Sequence, residues 1–182
     1  MMKLIVFTFL FLCLVYFLQV ITVKNDKPII IDNLITQDET NYILNKCENY
    51  YIEDVDPGIP VNKGKSSTCF LSKDDITIGK MIKRICNIIG KNYEKAENVE
   101  VVKYNQGGSH LPHYDSRATT VTLFLNDTFD GGDVHFIHLR EKMKPRQGGG
   151  IVFHSKNNPS SYHVNIPVTN GEKYVAYLWI ND

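Results

Sequence analysis

The second half of this chain is a succession of short apolar runs broken by glycine and proline, and that rhythm limits the folds open to it. "VEVVKY", "TTVTLFL", "DVHFIHL", "GIVFH" and "KYVAYLWI" are rich in β-branched and aromatic residues, and "NQGGS", "NDTFDGG", "KPRQGGG" and "NNPSS" separate them. Many short strands with close-set turns build sheets that fold back on each other, as in a sandwich, jelly roll or barrel. Two helical stretches come first. In "TQDETNYILNKCENYY" Thr36 and Glu39 form a capping-box pattern, and Ile43, Leu44 and Cys47 follow at helical spacing, which predicts a helix from Gln37 to Tyr50. In "KDDITIGKMIKRICNIIGKN" Asp74 or Asp75 caps a helix whose buried face is Ile76, Ile78, Met81, Ile82, Ile85, Ile88 and Ile89, with Gly90 as its stop. "KPIIIDNLI" predicts a short strand, Ile29 to Ile31, and "EDVDPGIPVNKGKSST" a loop. The expected object is an α+β domain dominated by a jelly roll, a double-stranded β-helix, with the two helices buttressing one sheet from outside.

The N-terminus is of another character. Leu4 to Val23 carries no charge and is about as long as a bilayer-crossing helix. No small-residue cleavage site follows it, so it reads as an uncleaved signal anchor rather than a removed signal peptide. The expected organisation is an anchor over 1–25 and a domain over 26–182, with a functional core at 99–182. The domain is expected in the endoplasmic reticulum or another secretory lumen, on the membrane. Cys13 lies in the apolar segment, and Cys47, Cys69 and Cys86 allow at most one disulfide within the domain. "NDT" at Asn126 is a formal glycosylation sequon. Lysines and acids interleave to a formal net charge of zero, which gives no electrostatic footprint for nucleic acid.

The chemistry gathers around "SHLPHYDSR". Residues two apart in a strand point to one side, so His113 and Asp115 can present an imidazole and a carboxylate together. A second histidine on a neighbouring strand would complete a two-histidine, one-carboxylate face, which suits non-haem Fe(II) and leaves coordination positions open. His163, at the end of a serine-rich turn, is the candidate. Ten positions later Lys173 opens an otherwise apolar strand. A lone lysine there would be read as snorkelling at a strand end. Beside a metal it gains another use, as the point charge that receives the far carboxylate of a metal-bound diacid.

Taken in order, these segments resemble the prolyl 4-hydroxylase branch of the 2-oxoglutarate- and Fe(II)-dependent dioxygenases, over Lys27 to Asp182. "IIIDNLITQDETNYIL" is similar to that family's opening strand and helix, and "SSTCFLSKDDITIGKMIKRI" to its second helix and lead-in. "ENVEVVKYNQGGSHLPHYD" is similar to its strand, glycine turn and H-x-D, and "RATTVTLFLND" to its R-x-x-T-x-L-x-Y-L-N-D. "GGDVHF", "KPRQGGGIVFHS" and "HVNIPVTNGEKYVAYLWI" continue the match. The resemblance implies His113, Asp115 and His163 as iron ligands, Lys173 and Tyr104 on the 2-oxoglutarate carboxylate, and Thr120, Thr122 and Phe124 lining the same pocket. It implies O2 as co-substrate, L-ascorbate as the rescuer of uncoupled turnover and a proline-containing peptide as substrate. Trp179 is read as core, and His110, His135, His138 and His154 as surface or hydrogen-bonded histidines rather than ligands.

The chain departs from the family in three places. A single residue separates Asp115 from Arg117 where relatives carry a longer segment, the stretch from Phe153 to His163 is short, and Phe124 stands where a tyrosine is usual. Lids and loops govern closure and substrate choice, so two alternatives stay open: the same oxygenase chemistry on another peptide residue or a small molecule, and a jelly-roll binding module without turnover. A zinc hydrolase would give Lys173 no task. A nucleic-acid demethylase is disfavoured by the neutral charge and by lysine in place of arginine.

Overall fold

The computed structural model describes residues 27–53 and 65–182. The apolar segment expected to span a membrane and Cys13 lie outside the described residues; among the described residues no helix is long and apolar enough to cross one. The strands are β1 (Ile29–Ile31), β2 (Ile52–Glu53), β3 (Ser66–Leu71), β4 (Val99–Tyr104), β5 (His110–His113), β6 (Thr119–Phe124) and β7 (Asp130–Gly131). They continue with β8 (Val134–Phe136), β9 (Glu141–Met143), β10 (Gly150–His154), β11 (His163–Asn165), β12 (Val168–Asn170) and β13 (Lys173–Ile180). The helices are α1 (Gln37–Cys47) and α2 (Ile76–Ile89).

A seven-stranded sheet runs β1-β10-β6-β13-β4-β3-β2, and a four-stranded sheet runs β5-β11-β8-β9. A third, two-stranded sheet pairs β12 with β7. The period-two alternation of the long strands separates two cores. Val99 and Val101 of β4, Val121 and Leu123 of β6, and Ala176, Leu178 and Ile180 of β13 face the helices and pack with Ile43, Ile78, Met81, Ile82, Ile85 and Ile89. Val102 and Tyr104, Phe124, and Val175 face the other way and pack with Val134, Phe136 and Phe153. The helices therefore cover one face of the large sheet, as the sequence predicts, and the second face looks into the jelly roll.

The helix ends follow their local chemistry. Thr36 and Glu39 form the reciprocal capping box, and Asp75, not Asp74, caps α2 through the backbone N–H groups of Thr77 and Ile78. Gly90 closes α2 in the left-handed conformation, φ 68°, where a Cβ would be strained. Three expectations need correction. Helix α1 stops at Cys47 rather than Tyr50, where Cys47 enters a disulfide with Cys69 of β3. Ile76 is 76% exposed, because the first residue of α2 precedes the turn that meets the sheet. Ser66 to Thr68, read as loop, begin β3 by pairing with β4. Within the formal sequon, Asn126 Oδ1 accepts from the Tyr174 N–H (2.8 Å) and its Nδ2 donates to the Glu172 carbonyl (2.8 Å) and the Thr128 hydroxyl.

Ile82 is wholly buried between α2 and the sheet. Ile82→Ala is expected to cost about 2–5 kcal/mol of unfolding free energy, read as a lower denaturation midpoint at unchanged slope in urea.

Candidate active site

Two strands bring the candidate ligands together. β11 pairs antiparallel with β5, and the register sets His163 directly opposite His113. Asp115 follows the end of β5 by two residues, so its carboxylate returns to the same side as His113. The ligand-type atoms of His113, Asp115 and His163 all lie within 4.8 Å of one another. They sit in the wall of a cavity of about 410 Å³, which His110, Tyr104, Tyr177 and Trp179 also line.

Backbone carbonyls fix both imidazoles. Nδ1 of His113 lies 2.7 Å from the Leu111 carbonyl, and Nδ1 of His163 lies 2.8 Å from the Ser161 carbonyl. A carbonyl only accepts, so each Nδ1 carries a proton and Nε2 is the nitrogen left to meet a metal, which would displace any proton there. His113 Nε2 is 3.1 Å from Oδ1 of Asp115. The other carboxylate oxygen, Oδ2, accepts from the Thr120 hydroxyl at 2.6 Å, which in turn is 2.9 Å from the buried Ser155 hydroxyl.

The charges follow from this packing. Burial alone would raise the Asp115 pKa, but the hydrogen bond from His113, the nearby His163 and the Thr120 hydroxyl outweigh it and hold the carboxyl below its usual range. Burial opposes protonation of His113, and its bonds to Asp115 and Leu111 reverse that, leaving its pKa raised. In His163 burial prevails over the pull of Asp115, and its pKa is lowered. A carboxylate between two oriented imidazoles, at the edge of an open cavity, fits a divalent metal held on one face.

Lys173 begins β13 and is 1% exposed. Its Nζ donates to the Gly132 carbonyl (2.7 Å) and to Oδ1 of Asn165 (3.0 Å), both neutral acceptors. Burial is the largest influence on the amine and pulls its pKa from 10.5 to about 7; Asp133 opposes this and Lys144 adds to it. The rings of Tyr104 and Phe124 stand 5.4 and 5.2 Å from the ammonium. A buried amine with neutral partners is stabilised by an incoming anion, so the surroundings fit the far carboxylate of a diacid.

The other predicted residues divide. Thr122 and Phe124 share the buried cavity-side face of β6, but Thr120 on that face bonds Asp115 rather than facing Lys173. The Tyr104 hydroxyl meets the Tyr177 hydroxyl at 3.3 Å. Trp179 is not core: it is half-buried at the cavity, its ring stacked on Tyr177 and covered by the Arg117 guanidinium, which pairs with Glu97. His110 is exposed on β5 with its ring centroid 4.1 Å from that of His113, and it stays outside the ligand cluster as expected. His138 bonds the Pro159 carbonyl and His154 the Thr119 hydroxyl. Asn165 and Tyr177 escaped the sequence reading, although a signal was there: each continues a period-two row, His163–Asn165 and Lys173–Val175–Tyr177–Trp179.

Residues 99–181 match the family model of the 2OG-Fe(II) oxygenase superfamily. Among curated proteins the chain is 28% identical over 181 residues to one named "Putative prolyl 4-hydroxylase" from Acanthamoeba polyphaga mimivirus, covering 86% of this chain and 75% of that one. Its fold is similar to that of the viral collagen prolyl hydroxylase from Paramecium Bursaria Chlorella virus-1 in a 2OG complex. That match has a TM-score of 0.68 at 21% identity and covers 87% of this chain and 97% of that one. It is also similar to a prolyl hydroxylase from Trichoplax adhaerens solved with a hypoxia inducible factor peptide fragment, with a TM-score of 0.64 at 17% identity, covering 88% and 86%.

Thr120→Val removes the hydroxyl that orients Asp115 without removing a candidate ligand. Affinity for Mn(II), titrated by calorimetry, is expected to fall by about ten- to a hundredfold, while Thr120→Ser stays near wild type.

Proposed function

We propose that this chain is a prolyl 4-hydroxylase-like member of the 2OG-Fe(II) oxygenase superfamily that uses Fe(II) and 2-oxoglutarate to hydroxylate peptidyl proline to 4-hydroxyproline, with succinate and CO2 as co-products. The observation that carries this reading is the pairing of the His113–Asp115–His163 cluster with a buried lysine whose Nζ donates to two neutral acceptors. The proline assignment is supported by the names of the similar proteins.

In this reading His113, Asp115 and His163 hold the iron on one face and leave the other toward the cavity. Iron, 2-oxoglutarate and O2 together supply the oxidising chemistry when bound; ascorbate belongs to the proposal as the resemblance implies it. The chain's own residues bind, orient and exclude. The Leu111 and Ser161 carbonyls hold both Nδ1 atoms, which leaves each Nε2 as the nitrogen that would meet iron, and Thr120 occupies one oxygen of Asp115, leaving the other as its ligand atom. Lys173 would fix the far end of the diacid, with the Tyr104 and Phe124 rings beside it and Thr122 on the same buried face of β6 as Phe124. The open side, between Tyr114, Arg117 and Trp179, is where a peptide enters.

The proposal places the domain, 26–182 with its core at 99–182, in a secretory lumen behind an anchor at 1–25. The uncharged run from Leu4 to Val23 supports the anchor, and the Cys47–Cys69 disulfide supports an oxidising compartment.

Incubation with proline-rich and collagen-like peptides is expected to add the mass of one oxygen atom at proline, dependent on Fe(II) and 2-oxoglutarate. Succinate formed on a different substrate, with every proline peptide unchanged, would overturn the proline assignment and leave the oxygenase. A pH dependence follows as well. With the Lys173 pKa near 7 in the ligand-free protein, binding a carboxylate above that pH must take up a proton. Affinity for 2-oxoglutarate should therefore fall by up to about tenfold per pH unit above neutrality. Calorimetry in buffers of different ionisation heat reads the proton uptake directly; binding that is flat with pH contradicts it.

A further inference from the structure

We propose that Asn165 sets which 2-oxo diacid this site accepts, by closing the inner end of the cavity in front of Lys173; the inference rests on the reading of the site as an Fe(II) and diacid centre. His163 and Asn165 are two residues apart on β11 and project from one face, about 6.8 Å apart along the strand. One stands at the metal cluster and the other at the far end of the same cavity. The cavity wall includes Tyr104, Asn165 and Tyr177, while Lys173 lies behind them. The lysine is reached past Asn165.

The orientation of the Asn165 amide is dictated by its neighbour. An ammonium only donates, so Oδ1 must face Lys173, at 3.0 Å, and Nδ2 turns to the Tyr177 hydroxyl, at 3.3 Å. The Tyr177 hydroxyl meets that of Tyr104 at 3.3 Å. Asn165, Tyr177 and Tyr104 thus form a continuous polar end-wall. The side chain of Asn165 is 2% exposed, so its position is held by packing as well as by these bonds.

The lysine behind the wall cannot retreat. Its stem packs on Gly132, where an added Cβ would lie 2.9 Å from the Phe129 ring and 3.1 Å from Lys173 Cδ. Nζ is tied to the Gly132 carbonyl. The length of the site is therefore fixed by the reach of the Asn165 amide. A carboxylate is a stronger acceptor for an ammonium than an amide oxygen, so a diacid of the right length takes over the contact Asn165 now makes. A diacid one methylene longer meets the amide itself. Truncating Asn165 lengthens the cavity and removes one acceptor of Lys173, while the Gly132 carbonyl still holds Nζ and His113, Asp115 and His163 keep their side chains.

The test uses the full chain with Mn(II) replacing Fe(II), without oxygen. Binding of 2-oxoglutarate and of 2-oxoadipate is measured by calorimetry and by the shift in Tm. Asn165→Ala is expected to move the affinity ratio toward the six-carbon acid by about tenfold or more, the discrimination one methylene supports. Asn165→Asp, which sets a fixed carboxylate on Lys173, is expected to abolish binding of both acids while retaining Mn(II). An unmoved ratio in Asn165→Ala, loss of both acids in that variant with Mn(II) still bound, or wild-type binding by Asn165→Asp would each overturn the role of Asn165. Lys173→Met separates the two readings: if it leaves 2-oxoglutarate binding intact, the diacid site itself is wrong, and if it abolishes binding, only the outcome at Asn165 decides.

Discussion

The antiparallel pairing of β11 with β5 is the contact on which the site depends. It sets His163 opposite His113 although the two are far apart in the chain. A slip of one residue would turn His163 and Asn165 to the other side of the small sheet and remove both from the cavity. The register is held from the other edge as well, because β11 also pairs with β8, His163 opposite Phe136. The Phe136 and Phe153 rings pack within 5.5 Å and 5.2 Å of the His163 ring. The apolar core between the sheets thus holds the strand that carries the polar site.

The same core explains why the lysine is available to an anion. Lys173 lies at the first position of β13, opposite Tyr104 of β4 in the large sheet. The strand alternation that buries Val175 also buries Lys173. An exposed lysine would be hydrated and screened; here neutral acceptors and aromatic rings surround it, and burial disfavours its charge despite Asp133. In the proposed reading, diacid binding and the electrostatics of the cavity are therefore one problem, with Asn165 as the group between them.

Much of this is legible in the sequence where the signal is periodic or local. The five apolar runs after Val99 all contain strands, the capping box at Thr36 forms, and Gly90 ends its helix. His113, Asp115 and His163 meet as the H-x-D spacing and the later histidine suggest. What escaped was set by tertiary contact. Thr120 alternates with Thr122 and Phe124 just as the pocket reading required, yet the nearness of Asp115 takes its hydroxyl. Trp179 is apolar in type, but its place on the cavity face of β13 puts it at the opening. Short strands such as β7 and β12 carry too few residues to show a period, and only their partners define them.

The central claim is that His113, Asp115 and His163 form a working iron face that activates a diacid held by Lys173. It is tested most directly by release of labelled CO2 from 2-oxoglutarate carrying the label in its C1 carboxylate. The account predicts release by the wild type that requires Fe(II), and loss of release in a folded His163→Ala variant. Release that persists undiminished in His163→Ala, or that proceeds without iron, would contradict it.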